Sequence, residues 1–77
     1  MSTFNVEVVQ SELKIILEAL TEMENGMATL CANSDDEDEI ADIGNDLIEL
    51  RLLLKPLQEK AINRYGKNII NFSRDLL

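Results

Sequence analysis

Two apolar stripes run through this sequence at one spacing. Val9, Leu13, Ile16, Leu20, Met23, Met27 and Leu30 recur at alternating steps of four and three residues. Ile40, Ile43, Leu47, Leu50, Leu54, Leu57 and Ala61 recur at alternating steps of three and four. Such heptads bury one side of an α-helix, whereas a half-buried strand alternates with period two. Only Phe4, Val6 and Val8 show that alternation, and briefly.

Between the stripes, Asn33 tolerates the left-handed conformation that ends helices, and Ser34-Asp35-Asp36-Glu37 has the spacing of a capping box. So short a connection makes the helices antiparallel neighbours. Folded about Asp35, the two stripes close pair by pair, from Leu30 with Ile40 near the turn to Val9 with Ala61 at the far end. The expected fold is therefore all-α: an antiparallel hairpin of helices over about 6–31 and 35–64. Pro56 lacks an N–H and should kink the second helix between Leu52 and Pro56. Gly66 is a natural stop, and Ile69, Ile70, Phe72, Leu76 and Leu77 point to a short C-terminal helix over about 68–77. At 77 residues the chain makes one small domain, 1–77.

Composition excludes several chemistries. The chain has no His and one Cys, so a disulfide framework, a Cys/His zinc site, a Ser-His-Asp triad and His-ligated haem are excluded. The expectation is a protein that is not an enzyme and takes no cofactor. No apolar run approaches the roughly 20 residues of a membrane span, and the N-terminus lacks a basic segment followed by an apolar one. A reducing cytoplasm is the expected location, with Cys31 an ordinary small apolar residue near a helix end.

Charge is polarised along the chain. Residues 1–50 hold thirteen acids and one base, Lys14, and residues 51–77 hold six bases and two acids. The net charge of −8 repels a phosphate backbone, so direct nucleic-acid binding is not expected.

A hairpin alone leaves apolar residues outside its heptads. Leu17, Ile48, Leu52 and Leu53 are the expected contact residues for a second helix pair, with Ile15 beside them. Ala19, Gly26, Ala41 and Gly44 would let another helix approach closely. Two helices of this size bury too little surface to stand alone. The expected protein is a homodimeric helical bundle, a four-helix bundle in the simplest form, acting as a regulatory protein–protein interaction module. A different class is an acidic, antitoxin-like inhibitor that mimics nucleic acid in the groove of a basic protein.

Two acidic segments invite a metal reading. Asp35 to Glu39 fits no frame of a calcium loop, because Ile40 and Ala41 fall where ligand and glycine are needed. Glu39-Ile40-Ala41-Asp42 resembles half the signature of the MazG-like all-α nucleotide pyrophosphohydrolases. That resemblance implies magnesium held by Glu39 and Asp42 together with Glu18 and Glu22. The family's upstream E-E-x-x-E is not met, since Ala19 stands where its second Glu belongs.

Overall fold

The computed structural model describes residues 2–72. Helix α1 spans Gln10–Asn33, helix α2 spans Glu37–Tyr65, and a 3₁₀ turn, η1, spans Lys67–Ile70. The described residues form an all-helical hairpin with a three-residue connection. Among them no helix is long and apolar enough to cross a membrane.

Each boundary has a local cause. Val6, Val8 and Val9 are β-branched and resist helix, so residues 2–9 stay irregular and α1 starts at Gln10 rather than near residue 6, while α2 starts at Glu37 rather than near 35. The Glu12 carboxylate accepts the Val9 N–H at 3.0 Å and fixes that start. At the turn the expected capping box is replaced. Asp36 is the N-cap of α2, its Oδ1 accepting the N–H groups of Asp38 at 3.0 Å and Glu39 at 3.4 Å. Ser34 Oγ instead accepts the Asp36 N–H at 3.2 Å. A carboxylate one turn before Glu39 satisfies two orphan N–H groups and favours the helix dipole, so it displaces the hydroxyl. The first turn of α2 adds Glu37, Asp38 and Glu39 to the same dipole.

Pro56 does not end α2, which runs unbroken to Tyr65. The carbonyl of Leu52 loses its helical donor there, and both residues are exposed, where water can replace it. Gly66 ends the helix with φ 87° and ψ 173°, a region open essentially to glycine alone, while its N–H donates to the Ile62 carbonyl at 2.8 Å. In place of the expected helix over 68–77 the chain makes the single turn η1; residues 73–77 lie outside the described residues.

The core is small and lies toward the open end of the hairpin. Leu17, Leu54, Ala61 and Ile69 form its buried centre, with Leu13, Leu20, Leu57, Ile62, Tyr65, Ile70 and Phe72 packed around it. Ile69 of η1 plugs the gap between the helices and is 1% exposed. Nearer the turn only Leu47 and Leu50, both on α2, are buried.

The structure corrects the expected rotation of α1. Leu17, placed outside the seam by the heptads, is 0% exposed and central to the core, while Val9, Met23 and Leu30, placed inside it, are more than half exposed. The face that α1 turns to α2 is Leu13, Leu17, Leu20, Glu24, Met27 and Cys31, every one buried or half-buried. These are also spaced by fours and threes. Glu24 interrupts the apolar pattern and hides this seam from a hydrophobicity reading.

Two stability tests follow from these positions. Leu17→Ala is expected to lower the unfolding free energy by about 2–5 kcal/mol, while Ile15→Ala, on the outside, changes it by less than about 0.5 kcal/mol. Denaturant titration reads both, and equal effects would restore the rotation the heptads suggested. Gly66→Ala is expected to cost about 1–3 kcal/mol through its positive φ. Gly26→Ala, mid-helix with open space around the added methyl, should be neutral or stabilising.

Candidate interaction surface

The four expected contact residues do not form one surface. Leu17 is inside the hairpin, because its position on α1 points at Leu54 and Ala61 rather than outward. Ile48 and Leu52, 58% and 71% exposed, are one turn apart and share the outer flank of α2. Leu53 is 56% exposed but sits about 100° round the helix from Leu52.

The hairpin has two broad sides, and the clefts tell them apart. Thr21, Glu24, Arg51, Lys55 and Gln58 line a groove on one side. A step of two residues turns a helix by about 200°. Met23, two from Thr21, and Leu53, two from both Arg51 and Lys55, therefore face the opposite side. Leu30, one heptad beyond Met23, joins them, and so does Leu57, one turn beyond Leu53. This side is the open apolar face: Met23 and Leu30 from α1, 51% and 52% exposed, and Leu53 from α2. At its open end Leu57 meets Leu13, Ala61, Lys60 and Arg64 in a cleft bordered by Val6, Glu7 and Val8 of the N-terminal strap.

The signal for this face was present in the sequence within the first stripe. Leu13, Leu20 and Met27 of that stripe turn to α2, whereas Met23 and Leu30 lie at its edge, between α2 and the outside. A two-helix reading assigns such a stripe wholly to the seam, and so overlooks Met23 and Leu30.

The polar side is held differently. Arg51 Nε lies 3.7 Å from Glu24 Oε2, with the two side chains 54% and 29% exposed. A pair so open to water contributes about 0–1 kcal/mol. The Thr21 hydroxyl nearby is covered by protein and has no hydrogen-bond partner. Arg64 packs 5.5 Å from the ring centre of Tyr65 and its Nε donates to the phenolic oxygen at 3.2 Å, which closes the end of α2.

The carboxylates do not gather into a metal site. Glu39 and Asp42 stand in the first two turns of α2 beside the connection, while Glu22 and Glu18 lie about three and four turns back from it along α1. Among the described residues no three acidic or thiol side chains are placed to hold one ion. Cys31 is a half-buried free thiol on the seam. The sequence matches no protein-family model, no curated protein and no solved structure.

Glu24 supplies a test of the seam. Glu24→Leu completes an apolar heptad and leaves Arg51 solvated. It is expected to raise the unfolding free energy by about 1 kcal/mol. A loss of similar size in urea titration would show that the ion pair, rather than packing, aligns the two helices.

Proposed function

We propose that this protein is a small helical interaction module that works by docking its open apolar face onto other helices, with a second copy of itself as the first partner. The observation that carries this reading is the exposure of Met23, Leu30 and Leu53 on one side of a hairpin whose α1 buries no side chain fully beyond Leu17. Large aliphatic and thioether side chains gathered on one face and rimmed by charge are typical of association surfaces. Recognition is then helix-face packing, and the surrounding charges set orientation.

The accessible surface agrees with an uncovered face. It is 6506 Å² for an 8.7 kDa chain, against about 4,700 Å² expected for a folded monomer of that mass. Part of the excess belongs to the strap, where Phe4 is almost wholly exposed.

A second reading has support in the acids of the turn half: ten acids and no base fall within residues 22–50. An inhibitor seated in the basic groove of a nucleic-acid-binding protein would use that charge, and its binding would weaken steeply with salt.

Sedimentation of the full chain at micromolar concentration should give twice the monomer mass. Met23→Glu with Leu30→Glu should return it to one chain while far-UV circular dichroism stays helical. A stable monomer, indifferent to both substitutions in mass and in melting temperature, would remove the interaction-module reading.

A further inference from the structure

We propose that the second copy docks antiparallel on the open face, about a two-fold axis passing α2 at Leu53. The proposal rests on the interaction-module reading and adds to it the register and the orientation.

One ridge of α2 carries the argument. Asp46, Leu50, Leu53, Leu57, Lys60 and Arg64 are spaced four, three, four, three and four. They form one continuous stripe along the edge of α2 that borders the open side, with Leu53 and the charged residues exposed, Leu57 half-buried and Leu50 buried beneath them. Its middle is apolar, one end is acidic and the other basic. A ridge of that composition is complementary to itself only when reversed. Turned about Leu53, it sets Leu53 against the partner's Leu53. Asp46 then meets the partner's Lys60, and Asp42, one turn before Asp46, meets the partner's Arg64. Asp42, Asp46, Lys60 and Arg64 are all exposed in the single chain; Arg64 already donates its Nε to the Tyr65 hydroxyl, which leaves its terminal guanidinium nitrogens for such a pair.

The parallel alternative fails on charge. With both turns at one end, two sets of ten acids would face each other without a base between them. Reversal sets each acidic half over the other half, whose described residues hold six bases and four acids. Glu7 on the strap borders the same cleft as Lys60 and Arg64 and weakens that basic end without reversing it. Packing agrees with charge. The turn half, where the core is thinnest, comes to lie over the partner's open half, where Leu17, Leu54, Ala61 and Ile69 make the core firm.

Two sets of variants test the arrangement in the full chain. Asp46→Lys alone and Lys60→Glu alone should each weaken self-association by about tenfold or more, because each creates like-charge contacts twice in a symmetric dimer. An equimolar mixture of the two should recover part of the loss as a heterodimer, read by sedimentation with one variant labelled. Separately, Leu53→Cys in a Cys31→Ser background should cross-link to itself on mild oxidation, since the axis brings that position beside its own copy. Self-cross-linking together with recovery in the mixture supports the proposal. A dimer that neither cross-links at position 53 nor recovers on mixing overturns this geometry and leaves the interaction-module reading standing. A folded monomer whose face instead orders a synthetic basic amphipathic helix overturns the second copy as occupant, and again leaves that reading standing.

Discussion

Each helix of this hairpin has one long neighbour, and that constraint governs the rest. The apolar arc of α1 runs from Leu17 on one side through Leu13, Leu20 and Met27 to Met23 and Leu30 on the other. An arc of roughly 100° or more is wider than a single partner helix can cover. The chain buries the edge that carries Leu17 and leaves the edge that carries Met23 and Leu30 open. The choice of edge follows from what η1 can reach. Ile69 closes the core at the open end beside Leu17, Leu54 and Ala61, and a helix rotated to bury Met23 would withdraw Leu17 from that plug.

The hairpin was legible because its signals are local and agree with one another. Two heptad stripes that close on one register and a cluster of turn and capping side chains each place the bend near Asp35. The rotation of α1 was not legible, because it depends on a residue that hydrophobicity counts as polar. Glu24 enters the seam with its aliphatic stem and turns its carboxylate toward Arg51. Scored as apolar, it would have revealed Leu13, Leu17, Leu20, Met27 and Cys31 as the competing heptad. The cap shows the same limit at shorter range. Ser34 and Asp36 both have the chemistry to start α2, and only the geometry of the turn decides that Asp36 holds the N–H groups while Ser34 tightens the connection.

The candidate surface was half legible for a related reason. Ile48, Leu52 and Leu53 are as exposed as their off-heptad positions suggest, yet they divide between a flank and a broad face. Spacing along one helix states the angle between side chains. It does not state where that helix points its zero, and that angle comes from the neighbour. Pro56 illustrates the complementary case. Its missing N–H is a fixed local cost, but the long packed helix on either side, with Leu54 and Ala61 buried, is strong enough to carry α2 past it to Tyr65 without a break.

The acidic residues near the turn divide into two groups by what satisfies them. Asp36 to Glu39 are accounted for within the chain, since they cap α2 and favour its dipole. That benefit fades within the first turn. Asp42 and Asp46 lie beyond it, each four residues from the acid before, so that Asp38, Asp42 and Asp46 form a ladder of like charges. Such steps destabilise a helix by about 0.2–0.5 kcal/mol each, and no base among residues 22–50 relieves them. At the other end of the same helix face, Lys60 and Arg64 are cations one turn apart. A single copy cannot bring the two ends of one rigid helix together. In the reversed pair proposed above each end would meet the other's opposite, and the penalty carried along α2 in the monomer would become the term that selects that pair.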